Sequence, residues 1–154
     1  MIRNLMNNTS VAIPAQYTMG EEAKRGTFVK LVYNSSAKTS EIKKATTFAE
    51  ADGILVRDVV VTDDVAMGLP ISDYDTEQDL IKKGEYAGVR PVVAGEFFMT
   101  TEYDLAITST TGVEGTLLKV EDGILKVGTT GDKIVSLGIM NDAGHTVLGY
   151  RIIK

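Results

Sequence analysis

Apolar and polar residues alternate along this chain in short runs separated by Gly, Asn, Asp and Ser. Runs of that length with a period near two predict strands rather than helices. Gly26-Thr27-Phe28-Val29-Lys30-Leu31-Val32-Tyr33 reads as a strand from its β-branched and aromatic content. Asn34-Ser35-Ser36 then turns the chain. Ser40 to Lys44 fits a short strand or a loop, and Thr47 to Ala51 fits one helical turn. Ile54 to Val61 is the most apolar run, and its length and β-branching predict a buried strand. Two further strands, Tyr86 to Val92 and Ala94 to Met99, lie inside Gly84–Tyr103. That stretch holds two of the four Phe and two of the six Tyr, so the fold is expected to centre on it.

Asp122-Gly123, set between Leu118-Lys119-Val120-Glu121 and Ile124-Leu125-Lys126-Val127, is a two-residue hairpin signal. The implied register puts Val120 opposite Leu125 and Leu118 opposite Val127 on a core face. Lys119 then faces Lys126 on a wet face, where only water makes the like charges tolerable. Ile134 to Met140 and His145 to Ile153 predict a second hairpin across Asn141-Asp142-Ala143-Gly144. Thr108-Ser109-Thr110-Thr111-Gly112 reads as a soft linker. Residues 62–83 are the least regular. Thr76 to Gly84 fits a short helix there, with Thr76 as N-cap, acids in the first turn, Lys in the last and Gly84 at its end.

Residues 1–25 show no clear period. Ile2, Leu5, Met6, Val11, Ile13, Pro14 and Tyr17 are scattered apolar anchors among polar residues. Such a segment has no core of its own. It is expected either as a frayed terminus or as an extended arm that orders on a partner. Fully extended it reaches roughly 80 Å, at ~3.3 Å per residue. The fold class is therefore mainly β, with small barrel-like or sandwich-like modules, one short helix and an extended arm. The arm spans 1–25, the main module 26–107 and a C-terminal module 113–154. Gly26 to Leu31 also matches Gly115 to Val120 at a spacing of 89 residues, and the later order of polar return, threonine-rich turn and apolar strand is shared. Duplication and convergence of small β modules both account for this.

Composition narrows the chemistry. The chain of 154 residues is 44% hydrophobic, enough for a sizeable core, and has no cysteine. That excludes disulfides, thiolate metal sites and a Cys nucleophile. No run of 18 or more apolar residues occurs, so no membrane-spanning helix is expected. The start has no apolar signal-peptide core. Net charge is −5. It is uneven: +2 over residues 1–60, −7 over 61–104 and zero over 105–154. An acidic middle argues against nucleic-acid binding and fits a solvated face, a patch for a basic partner or a weak cation site. Asp73, Asp75, Glu77 and Asp79 suggest a calcium loop, but Gln78 and Gly84 stand where that loop needs Gly and Glu. His145 is the sole histidine and sits beside a turn. It has no Cys or second His to form a zinc site or a triad. No phosphate loop or nucleophile elbow appears. The expectation is no catalytic residue, no cofactor and no metal. Glu96, inside an apolar strand, is the one acid expected to be perturbed, most simply through a hydrogen bond between subunits.

Ala51-Asp52-Gly53-Ile54-Leu55-Val56-Arg57-Asp58-Val59, followed by Val89-Arg90-Pro91-Val92-Val93-Ala94-Gly95-Glu96-Phe97, resembles the head decoration, or capsid cement, proteins of tailed phages, the lambda type among them. The likeness covers residues 26–104. It implies a small β-rich structural protein of the virion, commonly a trimer. Such a protein is made in the host cytoplasm, is placed on the outer capsid surface and is bound to the major capsid protein. Its N-terminal arm would order on the shell, which assigns partner contact to Ile2, Leu5, Met6, Val11, Ile13, Pro14 and Tyr17, with Glu96 and Phe98 from the aromatic stretch. The chain departs from the compact lambda type in its insertion at 62–83 and in its C-terminal module. A head-fibre or tail-associated protein, a stand-alone β-barrel that binds a small ligand, and an enzyme are the alternatives, in that order. Clustered exposed aromatics would mark the ligand-binding barrel.

Overall fold

The structure, a computed structural model, describes residues 2–6, 15–56, 79–129 and 133–153. It is mainly β. Five strands close a barrel in the order β2 (Ala15–Met19), β5 (Thr39–Lys44), β4 (Phe28–Asn34), β6 (Gly53–Val56) and β8 (Tyr86–Pro91). The β2–β5 pair is parallel, while β2–β8 and the other barrel pairs are antiparallel. A six-stranded sheet runs β1 (Ile2–Met6), β9 (Phe97–Thr100), β13 (His145–Ile152), β12 (Ile134–Asp142), β10 (Leu117–Glu121) and β11 (Ile124–Val127). A two-stranded ribbon, β3 (Ala23–Lys24) with β7 (Leu80–Ile81), packs its Ala23 and Ile81 into the barrel core. The buried Arg25–Asp79 ion pair, 2.6 Å, ties the two sides of that ribbon together.

Two cores share β4 and β6. Val29, Leu55, Met19, Ile42 and Val89 fill the barrel. Phe28, Ile54, Phe98, Leu118, Leu125 and Tyr150 fill the layer between barrel and sheet. Because adjacent strand residues point to opposite faces, Phe28-Val29 and Ile54-Leu55 bury one side chain in each core. That is why these segments read as continuous apolar runs rather than as alternation. Tyr150 is wholly buried, stacked on Phe98 at 5.5 Å and tilted against Phe28 at 6.0 Å.

The matched segments share a hydrogen-bond scheme. Thr27 N–H donates to Lys24 C=O at 3.1 Å, and Thr116 N–H donates to Val113 C=O at 3.1 Å. Gly26 (φ 97°) and Gly115 (φ 88°) occupy the third turn position in the left-handed region, as a type II turn requires. Gly26 N–H donates to Leu55 C=O and Leu55 N–H to Thr27 C=O, at 2.9 and 2.8 Å. Gly115, Ser136 and Thr116 repeat this at 2.9 and 2.8 Å. Two residues thus face one, a bulge that opens each unit. Ala45 N–H reaches Phe28 C=O, and Gly128 N–H reaches Leu117 C=O. The triplets β5-β4-β6 and β11-β10-β12 are therefore built alike. In the first, the return bond is interrupted. Phe28 N–H donates instead to Gly123 C=O, and Gly123 N–H donates to Ala45 C=O, each at 2.8 Å. The tip of the β10–β11 hairpin is inserted there.

Several elements fall where the pattern puts them. The turn at Thr47 to Ala51 is a 3₁₀ turn, Phe48–Glu50. Ser40 to Lys44 resolves to strand. The β10–β11 register sets Leu118 opposite Val127, Lys119 opposite Lys126 and Val120 opposite Leu125. Others differ. The helix expected over Thr76 to Gly84 does not run through its second half. Leu80–Ile81 is strand, because pairing with Ala23–Lys24 buries Ile81 in the barrel, which a short exposed helix would not. Residues 76–78 lie outside the described residues, as do 57–61 and the acidic run from 63 to 77. The strand expected from Ala94 begins only at Phe97, since Ala94-Gly95 forms a turn with Gly95 at φ 93°. Val127, at the end of β11, is 42% exposed. The Lys119–Lys126 pair is held by more than water: Glu121 accepts from both Nζ atoms at 2.6 Å.

Candidate functional site

The residues singled out for partner contact do not form one patch. Ile2 is half-buried against the sheet core. Leu5 and Met6 lie in β1, which pairs with β9 from Ile2↔Thr100 to Met6↔Phe97 with a register shift between Asn4 and Met6. Val11, Ile13 and Pro14 lie outside the described residues. Tyr17 sits in β2, opposite Ala87, and packs on the barrel core. Of the segment expected as an arm, the described parts are strands: Ile2–Met6 joins the sheet and Ala15–Met19 the barrel. A run of scattered apolar residues gave no sign of that, since β2 completes the barrel through long-range pairs with β5 and β8.

Glu96 and Phe98 are inside the protomer, at 0% and 1% exposure. The inter-subunit hydrogen bond expected of Glu96 is replaced by an internal one. Arg90 reaches across from β8, and its Nη2 meets Glu96 Oε1 at 2.5 Å. The same guanidinium lies over the Phe98 ring, 5.7 Å from its centroid. Glu96 Oε2 and Tyr150 Oη are buried with no hydrogen-bond partner among the described residues. Burial, and the nearby Glu96 carboxylate, push the Tyr150 phenol well above its ordinary value. This cluster clamps barrel to sheet and is closed to a partner.

Open surfaces lie elsewhere. An apolar groove of about 390 Å³ runs along the joint between barrel and sheet, lined by Phe48, Ala51, Val92, Ala94, Ile152 and Ile153, with Lys133 as the charged residue among those described. A polar cleft of about 240 Å³ is lined by Glu22, Lys24, Thr27, Lys44, Glu102 and Asp122 among others. Burial raises the Glu102 carboxyl above its ordinary value, partly offset by Lys24. Tyr33, Tyr86 and Leu105 are exposed at 65%, 73% and 87%. His145 is exposed at the start of β13. Among the described residues no group of three or more His, Cys, Asp or Glu could hold a metal ion. The third open feature is β1, which lies at one edge of the sheet, with β11 at the other. No helix among the described residues is long and apolar enough to cross a membrane.

No protein-family model matches the chain, and no curated protein or solved structure matches it either.

Proposed function

We propose that the protein is a structural component of a phage virion that binds the outer surface of the assembled capsid and stabilises it as a cement. Its N-terminal strand contacts the major capsid protein. The observation that carries this reading is the position of β1. It is one of the two edge strands of a six-stranded sheet, and among the described residues its ladder is with β9. An edge strand offers unpaired backbone groups to an incoming strand, which is the chemistry of strand addition. Support also comes from the two segments that resemble decoration proteins. Their described strand parts, in β6 and β8, lie side by side, with Ile54 opposite Arg90 and Leu55 opposite Val89. A protein that binds only the assembled shell stabilises it by mass action, and a trimer would add avidity.

The test is co-sedimentation with expanded phage heads, comparing the full chain with one lacking residues 1–6. The cut stops there because Ala15–Met19 belongs to the barrel. Saturable binding by the full chain, lost on truncation with the thermal melt retained, is the expected result. Binding that survives truncation moves the contact away from β1. No binding to any shell overturns the reading. A stand-alone binding module is the second reading, favoured by the apolar groove at the barrel–sheet joint. Shifts of the Val92 and Ile152 methyl signals on titration with decanoate would support it.

A further inference from the structure

The two like-built triplets differ in one place. In β5-β4-β6 the gap between Phe28 N–H and Ala45 C=O is filled by the Gly123 peptide. The corresponding pair in β11-β10-β12 is Leu117 N–H and Gly128 C=O. Gly128 N–H bonds Leu117 C=O at 2.8 Å, as Ala45 N–H bonds Phe28 C=O. On the β11 side the β10 ladder starts at Leu118↔Val127, whereas on the β12 side Leu117 already faces Val135 and Leu118 faces Ile134, so the gap is on the β11 side alone. Among the described residues nothing completes the Leu117–Gly128 pair. Phe28 and Ala45 are wholly buried under their plug, whereas Leu117 and Gly128 are half-exposed.

The filled site shows what fits. Its occupant is the glycine of a tight hairpin turn, Asp122 at φ 53° and Gly123 at φ 79°. A Cβ at Gly123 would lie 2.4 Å from Thr27 Cγ2 and 3.0 Å from Phe28 C=O, so only glycine enters. Thr116 and Leu117 stand in the corresponding places of the open site, so the same selection applies there. The chain carries a second turn of this shape. Ala143 at φ 50° and Gly144 at φ 86° form the tip of the β12–β13 hairpin. That tip is exposed, with nothing within 4 Å of a Cβ at Gly144. Among the described residues the Gly144 N–H donates to Asn141 Oδ1 in an exposed bond of 3.1 Å, which docking would exchange for Gly128 C=O.

We propose that the Leu117–Gly128 gap is a docking site for the Ala143-Gly144 hairpin tip of a second copy of this chain. Tip and gap lie on different elements, so a two-fold pair exchanges tips reciprocally, whereas one-way contacts run head to tail. Copies joined this way form a ring if the rotation closes and a filament if it does not. Each contact is small, so a closed ring that makes several at once is the stable form. The inference stands apart from capsid binding and holds or fails without it.

The cysteine-free sequence gives a clean test. Asp122 and Lys44 line one cleft beside the filled gap, and their counterparts at the open gap are Ala143 and Val127, both exposed. Val127→Cys and Ala143→Cys are made separately, one isotopically labelled, mixed in equal amounts and oxidised. The expected result is a 127–143 linked dimer well above the half share that random collision gives. Adding Thr116→Arg to the Val127→Cys chain should return that share to random while the circular dichroism melt is retained. A random share in the first mixture, or persistence of the mixed link when Thr116→Arg is present, overturns the proposal.

Discussion

Glu121 shows how a single side chain can decide whether a strand pairing is tolerable. Lys119 and Lys126 face each other across β10 and β11, and like charges directly opposed destabilise a sheet. Glu121 accepts from both Nζ atoms at 2.6 Å. Hydrogen bonds from Lys119 and Lys126 bring its carboxyl down from an ordinary 4.5 to about 2. The same contact raises Lys126 above its ordinary value. A carboxyl lowered on folding stabilises the folded state above its unfolded value, and that help is lost as pH falls through the folded one. The window here runs from 4.5 down to about 2. A carbon-detected titration should give Glu121 a midpoint near the lower end, and Lys119→Met with Lys126→Met should return it toward the upper. A midpoint that ignores both substitutions would mean the bridge does not persist in solution. The hairpin and its opposed lysines are plain in the sequence. The rescue is not, because Glu121 lies two residues from Lys119 along one strand and reaches Lys126 only across the ladder.

The two hairpins of the C-terminal half carry one turn shape in two surroundings, and glycine substitution separates them. Gly123 and Gly144 are both in the left-handed region. Alanine there costs about 1–2 kcal/mol from the backbone alone. At Gly144 nothing crowds the new methyl, whereas at Gly123 it meets Thr27 and the Phe28 carbonyl. Overpacking of that kind costs a further ~1–3 kcal/mol. Urea denaturation should therefore rank Gly123→Ala clearly below Gly144→Ala, and equal losses would show that the Asp122-Gly123 tip is not docked. Element identity along this chain was readable where the signal was local, as at the Asp122-Gly123 hairpin and the Phe48–Glu50 turn. It was not readable where the partner was distant. Leu80–Ile81 follows a good helix start and still becomes strand, because β3 and the barrel interior reward it. Ala15–Met19 has no strand period of its own and is fixed by β5 and β8. Glu96 could be singled out as an unusual acid, but its partner Arg90 could not, since only the β8–β9 turn brings the two together.

At the scale of the molecule, barrel and sheet share Phe28 and Ile54 through one core, and Tyr150 sits at its centre. A chain ending at residue 112 keeps every barrel strand but removes β10 to β13. It strips the cover from Phe28 and Ile54 and leaves Phe28 N–H and Ala45 C=O without Gly123. Those two backbone groups exchange their protein partner for water, and a fully exposed Phe costs about 1.5–3 kcal/mol of lost burial. The expected outcome is a collapsed chain with poor amide dispersion in a heteronuclear spectrum. A well-dispersed barrel spectrum from residues 1–112 would show that the plug is dispensable. The same plug sets a clock on synthesis. A ribosome makes β4, β5 and β6 well before it makes Gly123, so the first half waits, unsealed, for a tip encoded in the second. Sealing of the gap between Phe28 and Ala45 thereby comes after all five barrel strands have been made, and a message broken before Gly123 leaves that gap open.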